Sequence, residues 1–303
     1  MNRFVKLAWT ALAFTVLDIL WGGFVRASGS GTGCGNQWPI CNGQVIPNAQ
    51  NIATLIEFTH RALTGVLSFV ILALLVWGWR KYSKGSPLRL AVTGAAAFLL
   101  VEAGLGAALV KFGDKGTTLY AFLVAIHLLN TFILLAFVAL TAWWAGSGLS
   151  PSLKDRGRLP LLLGLGLLGV VLLGMSGALT ALGDTLYPAK SLADGLAQDA
   201  SLNSNFLVRL RVIHPIIAGF VGVYSLAVAQ YTYGHYKHLA ARRLSLILAG
   251  LVILQLCAGI VNLLLLAPIW LQIVHLFLAD MVWISYVLLS SSTLSVESER
   301  VAP

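Results

Sequence analysis

Residues 117–144 read TTLYAFLVAIHLLNTFILLAFVALTAWW, a stretch that contains one histidine and no charged side chain. A helix needs roughly 20 predominantly apolar residues to cross the hydrocarbon core of a bilayer, so this stretch is long enough to span it. Its apolar residues follow one another without alternation, whereas a strand of a transmembrane barrel would alternate polar and apolar side chains. The stretch therefore predicts a transmembrane helix and an all-α membrane protein.

Seven further stretches have the same character. Together they predict eight transmembrane segments, with boundaries good to a few residues, at 5–27, 54–79, 88–110, 117–144, 159–182, 206–233, 243–266 and 269–292. Hydrophobic residues make up 58% of the 303 residues and charged residues only 10%. A soluble domain carries about a quarter charged residues, so the composition excludes a soluble protein.

The distribution of basic residues predicts the orientation. The net charge is +9, but the 20 basic residues are scattered between apolar stretches, which excludes a nucleic-acid-binding face. Lys and Arg favour the cytoplasmic side, so both termini are expected in the cytoplasm. No transit peptide precedes the first segment, which favours the plasma membrane of a bacterium or archaeon. One side holds Arg3, Lys6, Arg80, Lys81, Lys84, Arg89, Lys154, Arg156, Arg158, Lys237, Arg242, Arg243 and Arg300, and the opposite loops hold Lys111, Lys115 and Lys190.

Four of the six histidines fall inside predicted segments. His60, His127, His214 and His275 lie on segments two, four, six and eight, which all run from outside to inside, and each lies shortly after its segment begins. A single membrane histidine is often an interhelical hydrogen-bond donor. Four at matched depth indicate a function, because intramembrane ionisable groups are costly.

Two pairs of imidazoles are typical of two haem sites. Neutral imidazole is a common axial ligand of haem iron, and helix bundles build cofactor sites from side chains on facing helices. Zinc is the weaker alternative, since no cluster of thiolates or carboxylates completes such a site at all four positions. All four histidines are therefore predicted ligands of haem iron.

An internal repeat assigns the pairs. Four positions recur at offsets of 155, 154, 153 and 148 residues: Gly22 with Gly177, His60 with His214, Gly106 with Gly259, and His127 with His275. Two halves, 1–150 and 151–303, then hold four segments each in the same orientation. The first half contains the pair His60 and His127, and the second the pair His214 and His275.

The halves differ beside their first histidine. Glu57 precedes His60 by three residues, whereas Arg211 precedes His214 by three residues. Residues three apart share a helix face, and a carboxylate beside a reacting group can accept a proton or stabilise positive charge. The alternative for Glu57 is a salt bridge with Arg61, four residues later. The difference favours chemistry in the first half and a permanent cofactor in the second.

Arg211 and Arg209 are candidates for binding a haem propionate. A guanidinium can donate two parallel hydrogen bonds to a carboxylate, which suits this role. The alternative is that both side chains snorkel to the membrane surface.

Cys34 and Cys41 lie in the first outer loop. A disulfide is chemically permitted outside the cytoplasm, and it would close this loop or serve redox chemistry. Two unpaired thiols are the main alternative, and a metal site is a poor one because no histidine lies nearby.

Several stretches together carry a resemblance to a known family. They are Gly22-Gly23-Phe24-Val25-Arg26, Ser28-Gly29-Ser30-Gly31, Cys34 with Trp38-Pro39 and Cys41, Ile56-Glu57-Phe58-Thr59-His60-Arg61, Ser176-Gly177-Ala178-Leu179-Thr180-Ala181-Leu182-Gly183-Asp184, and the separate residues Gly104, Gly106, His127, His214 and His275. In these residues the chain resembles haem A synthases. The resemblance covers nearly the whole chain, and residues 22–61 are its specific part.

The resemblance implies a fold and an activity. The family oxidises a ring methyl of haem O to a formyl group, which gives haem A for terminal oxidases. It implies an eight-helix bundle of two pseudo-twofold-related halves, with resident haem B on His214 and His275 and the substrate haem O facing His60 and His127. Glu57 matches the family's catalytic carboxylate, and Cys34 with Cys41 matches its disulfide. Further expected partners are membrane lipid, a haem O synthase and an electron donor, and the protein could form oligomers.

Two departures from the family pattern stand out. The second half reads His214-Pro215 where an arginine would mirror Arg61, so the propionate role passes to Arg211 or Arg209, and Pro215 is expected to bend segment six. The third outer loop has no second cysteine pair, and its long polar stretch 183–205 is expected to form a cap.

Other functions fit part of this pattern. A dihaem b-type cytochrome that passes electrons from a quinol would also need four membrane histidines, but it would not need Glu57 beside one site only. A haem transporter or chaperone would hold haem weakly and oxidise nothing.

Overall fold

The computed structural model describes residues 2–48, 51–147, 152, 156–201 and 203–295. Within these residues the chain forms helices and no strand: α1 (Arg3–Ala27), α2 (Ile52–Lys81), α3 (Pro87–Lys111), α4 (Thr118–Ser147), α5 (Leu159–Leu186), α6 (Leu192–Ala200), α7 (Phe206–Leu210), α8 (Ile213–His235), α9 (Leu239–Leu264) and α10 (Ile269–Ser295). Eight helical stretches are long and apolar enough to cross a membrane, which confirms the predicted all-α fold with eight spanning segments. Lys154, Arg300 and the predicted boundary at residue 150 lie outside the described residues.

The first three long helices begin at side-chain caps. Each cap residue has a short polar side chain that accepts a hydrogen bond from a backbone N–H of the first turn, which that turn cannot satisfy by itself. These caps are Asn2, Asn51 and Ser86.

Segment six, predicted at 206–233, is interrupted. It consists of α7 and α8, and the break falls at Arg211 and Val212. Pro215 lies in the first turn of α8, where a backbone N–H would have no helical partner in any case. Its ring would clash with the carbonyl of Arg211 if the helix continued towards the N-terminus. The distortion predicted for segment six therefore occurs just before His214.

Each half closes its long helices into a ring. In the first half α1 contacts α2, α2 contacts α3, α3 contacts α4, and α4 returns to α1. In the second half α5, α8, α9 and α10 contact one another in the same cyclic order. The halves meet through α1, α4, α5 and α10. The twofold axis expected between the halves stays a prediction.

The contact between the halves is built on an aromatic pair. The rings of Phe132 on α4 and Trp283 on α10 stack with centroids 5.1 Å apart, and the Trp283 indole donates to the Phe132 carbonyl at 2.7 Å. Gly174 of α5 packs against Phe132, where even a Cβ would come within 2.6 Å of the ring. Lipid offers no hydrophobic drive between helices, so close packing and such hydrogen bonds hold the halves together.

The connections α1–α2, α3–α4, α5–α8 and α9–α10 lie at one end of the bundle. In the first of them Cys34 and Cys41 form a disulfide, as predicted. We call this end the disulfide end. It is the end that the basic residues predict to face away from the cytoplasm.

Candidate functional site

The four intramembrane histidines lie towards the disulfide end of α2, α4, α8 and α10. The side chains of His60 and His127 are 28% and 29% exposed, although both lie within a helix bundle. His214 and His275 are half-buried. Each half therefore presents two accessible imidazoles at a similar level.

Three of the imidazole rings rest on glycines of the preceding long helix. A Cβ added to any of these glycines would come within 2.9–3.1 Å of the ring carbon Cε1, closer than ordinary contact allows. The pairs are Gly22 with His60, Gly177 with His214, and Gly259 with His275. The fourth glycine of the repeat, Gly106, has open space around it and does not contact His127. Because glycine has no Cβ, it leaves room for three of the imidazole rings.

The partner of His60 in the first half is a carboxylate. Oδ1 of Asp18, one turn before Gly22 on α1, lies 3.2 Å from Nδ1 of His60. The hydroxyl of Thr64 donates to the same carboxylate at 3.0 Å. Asp18 is buried, so its charge acts on the imidazole with little screening by water.

His127 has the same kind of partner. Oε1 of Glu102 on α3 lies 3.5 Å from Nδ1 of His127. Glu102 also accepts hydrogen bonds from the Asn130 amide at 2.5 Å and from the Thr131 hydroxyl. In both pairs a carboxylate oxygen lies within ion-pair distance of Nδ1, although neither contact has hydrogen-bond geometry. Nε2 is therefore the nitrogen that we expect to bind a ligand.

The partners in the second half are neutral. The Ser176 hydroxyl lies 3.0 Å from Nδ1 of His214, and the Gln255 amide nitrogen lies 3.2 Å from Nε2 of His275. The halves therefore also differ in residues that the sequence did not single out, while the roles predicted from Glu57 and Arg211 stay predictions. A signal existed: Asp18, Glu102 and Gln255 each stand four residues before a glycine of the repeat.

Glu57 is buried at the disulfide end and joins α2 to the disulfide loop. Its Oε2 accepts a hydrogen bond from the Cys34 amide at 2.9 Å, and its Oε1 pairs with Arg61 at 2.5 Å. Arg61 also donates to the carbonyls of Gln37 and Ile40, each at 2.8 Å. The salt bridge considered as an alternative is thus formed, and the described contacts of Glu57 do not include His60.

Arg211 is engaged within the protein. Its Nε lies 2.9 Å from the Asp184 carboxylate, and Nη2 donates to the Gly183 carbonyl at 2.9 Å near the end of α5. Arg209, by contrast, is exposed and has no ion pair among the described residues. Of the two propionate candidates, Arg209 is the one with a free guanidinium there.

α6 lies in the long third connection, beside Arg211. Oε1 of Gln198 lies 3.4 Å from Nη1 of Arg211, and the Asp199 carboxylate lies 3.9 Å from the same nitrogen. Burial raises the pKa of the Asp199 carboxyl, and the positive charge of Arg211 partly offsets this. Whether this connection covers a bound ligand, as expected of a cap, stays a prediction.

Arg26 links the halves near the site. Its guanidinium donates to the Ala181 carbonyl of α5 at 2.7 Å and to the Gln272 side chain of α10 at 3.1 Å. It also donates to the Thr185 hydroxyl at 3.2 Å. This arginine belongs to the resembling stretch 22–26, but sequence alone did not predict that it holds the halves together.

The donor set fits haem better than a bare metal ion. No group of three His, Cys, Asp or Glu side chains able to hold an ion is found in the part of the chain that the structure describes. The accessible imidazoles and the glycines beneath three of them are instead suited to a flat macrocycle whose iron takes axial nitrogen ligands.

Together these features define a class of protein, a multi-pass helical membrane protein with four histidines towards one end of its bundle. The profile of the COX15-CtaA family, described as cytochrome oxidase assembly protein, matches residues 5–287. The chain belongs to this family.

Curated relatives carry two kinds of name. A protein of Thermus thermophilus named protoheme IX farnesyltransferase is 46% identical over 304 residues, which cover 99% of this chain and 50% of the relative. Proteins named heme A synthase are 28% identical in Exiguobacterium sibiricum, over 86% of this chain and 85% of the relative, and 43% identical in Lysinibacillus sphaericus, over 42% and 40%. The chain spans about half the length of the Thermus relatives that it matches.

Proposed function

We propose that this protein is a haem A synthase, an oxidoreductase that converts a ring methyl of haem O to a formyl group. The observation that carries the proposal is the unequal surroundings of two similar histidine pairs in a member of this family. The first pair lies beside two carboxylates, of which Asp18 is buried and Glu102 is half-buried, whereas the second has neutral partners. An enzyme that binds one haem as substrate and another as cofactor needs such a difference.

In this proposal the two halves have separate roles. His60 and His127 hold the substrate haem O, and His214 and His275 hold a resident haem B, with Arg209 available for a propionate. The resident haem, when bound, supplies one-electron redox chemistry. The protein supplies the axial nitrogens, the space left by the glycines and the fixed charges that distinguish the sites.

The reaction needs a route for protons. Counted with water as the oxygen source, R–CH₃ + H₂O gives R–CHO with four protons and four electrons released. Glu57 is a buried carboxylate one turn from His60 and is the proposed catalytic group that takes up a proton or stabilises positive charge. Its bonds to Arg61 and to the disulfide loop hold it in one orientation.

The proposed substrate and partners follow from the membrane setting. Haem O carries a farnesyl tail, which is soluble in lipid, so the substrate enters from the bilayer. A haem O synthase is the proposed neighbour that delivers it. The Thermus relatives support this, because the matched region fills half of a chain that bears a farnesyltransferase name. An electron-transfer partner and a plasma-membrane location with cytoplasmic termini complete the proposal.

The test is to identify the haems made and bound by the protein. The full chain is expressed with a haem O synthase, and extracted haems are separated by reversed-phase chromatography with mass detection. Haem A or a hydroxylated haem O, absent when Glu57→Gln replaces the wild type, is the expected result. Haem B alone at about two per chain, without any oxidised farnesylated haem, would refute the proposal and favour the dihaem electron-transfer cytochrome.

A further inference from the structure

The two halves differ at the same two positions of every histidine site. In the first half, an acid stands four residues before the repeat glycine and a threonine stands four residues after the histidine. In the second half, these places are taken by uncharged residues and by alanine. The sets are Asp18 and Thr64, Glu102 and Thr131, Leu173 and Ala218, and Gln255 and Ala279.

The structure joins the acid and the threonine at both sites of the first half. Thr64 donates a hydrogen bond to Asp18, and Thr131 donates one to Glu102. Each carboxylate also lies near Nδ1 of the histidine that stands one turn before its threonine. Neither carboxylate is required for helix packing as such, because the second half builds the same helix neighbours with Leu173 and Gln255 in these places. The four residues therefore form two hydrogen-bonded carboxylate–threonine pairs that are specific to the first half.

A carboxylate next to Nδ1–H makes the imidazole a stronger electron donor through its other nitrogen. Stronger donation and nearby negative charge both stabilise ferric iron more than ferrous iron, because ferric iron carries the higher charge. In the second half, the neutral hydroxyl of Ser176 beside Nδ1 of His214 has a smaller effect, and Nδ1 of His275 has no hydrogen-bond partner among the described residues. The two haem sites should therefore differ in redox potential for a reason that lies outside the iron ligands.

We propose that Asp18 and Glu102 are positioning residues that make the His60–His127 site prefer ferric haem and give it a lower midpoint potential than the His214–His275 site. Thr64 and Thr131 orient the carboxylates and withdraw part of their charge. This inference rests on the proposed function, since it assumes that both histidine pairs bind haem.

The test measures each site alone in the full-length protein. Purified protein in detergent is loaded with hemin, in a His214→Ala/His275→Ala background for the first site and a His60→Ala/His127→Ala background for the second. Midpoint potentials come from redox titration of the Soret band, and low-spin ferric signals are recorded by electron paramagnetic resonance. Ferric and ferrous affinities are measured in parallel.

Asp18→Asn and Glu102→Gln remove the charge and keep the shape. Loss of such a partner weakens metal binding by about 10- to 100-fold, and we expect at least the lower value for ferric haem. Each tenfold loss of ferric over ferrous preference raises the potential by about 59 mV. Ser176→Ala removes the neutral hydroxyl beside Nδ1 of His214 and should leave the potential of the first site unchanged.

Thr64→Val distinguishes an electrostatic effect of the carboxylate on the haem from a purely structural role of these residues. Removing the hydroxyl leaves more charge on Asp18, so the potential of the first site should fall, opposite to the shift in Asp18→Asn. If both variants shift the potential in the same direction, the residues only maintain packing and the inference is wrong. It is also wrong if Asp18→Asn and Glu102→Gln both retain the wild-type potential while haem is bound. If the wild-type first site binds no hemin or haem O, the proposed function fails and the inference fails with it.

Discussion

Gly22→Ala adds one methyl group directly beneath the imidazole of His60. The new Cβ would lie 3.0 Å from Cε1 and 3.1 Å from Nε2, whereas ordinary contact begins near 3.4 Å. The ring must therefore move by about 0.4 Å or more, and overpacking of this kind costs about 1–3 kcal/mol. Alanine in a helix recovers about 0.5–1 kcal/mol relative to glycine, so the protein should still fold.

The cost should appear mainly in the binding of haem, because the displaced atom Nε2 is the proposed ligand nitrogen. If about 1.4 kcal/mol falls on the bound state, the affinity of the first site drops tenfold. We expect hemin titration of the purified protein, with the second site removed by His214→Ala and His275→Ala, to show this loss in the Soret band. Thermal stability without haem should fall by no more than the difference between the overpacking cost and the gain from alanine.

Gly106→Ala is the matched control. It makes the same substitution at the corresponding place in α3, where no atom lies within 4 Å of the added Cβ. Wild-type affinity is expected for this variant. If Gly22→Ala binds hemin as tightly as Gly106→Ala does, the contact between Gly22 and the His60 ring does not affect haem binding and the reasoning is refuted.

Further substitutions test other parts of the site. Gly177→Ala should weaken hemin binding at the second site about tenfold and spare the first, since its Cβ would come within 2.9 Å of the His214 ring, and equal effects on both sites would contradict this. Glu57→Gln should abolish formyl formation in membranes while haem binding persists, and normal turnover would remove its catalytic role. Arg209→Gln should weaken the second site without loss of thermal stability. Arg211→Gln should lower the melting temperature by breaking a partly buried ion pair with Asp184, and the reverse pattern would reassign the propionate.

The fold was largely predictable because hydropathy is a local property. Each long apolar stretch can be recognised as a spanning helix from its own residues. For example, α2 at Ile52–Lys81 extends the predicted segment 54–79 by only two residues at each end. A distortion of segment six at Pro215 was predicted, but its position between α7 and α8, just before His214, was not. A proline disturbs the carbonyl four residues earlier, so its effect appears upstream, at Arg211.

The site was predictable only in its histidines. Asp18 is a single acidic residue in the apolar first segment, and nothing within one segment reveals which neighbouring helix its side chain faces. The contact with His60 depends on the rotation of α1 against α2, which packing sets. The bond from the Cys34 amide to Glu57 likewise depends on how the disulfide loop folds back, and no spacing in the sequence predicts it.

The comparison of the halves explains how the same glycine–imidazole contact can belong to two sites with different chemistry. The glycine and the imidazole set where a ring can lie, and they recur at His60 and His214 with nearly the same contact distance. What differs is the group behind the ring: Asp18 carries a charge, whereas Ser176 does not. A change behind the ligand alters electron donation without moving the ligand, so divergence after duplication could change the chemistry of one site while the packing of both was kept.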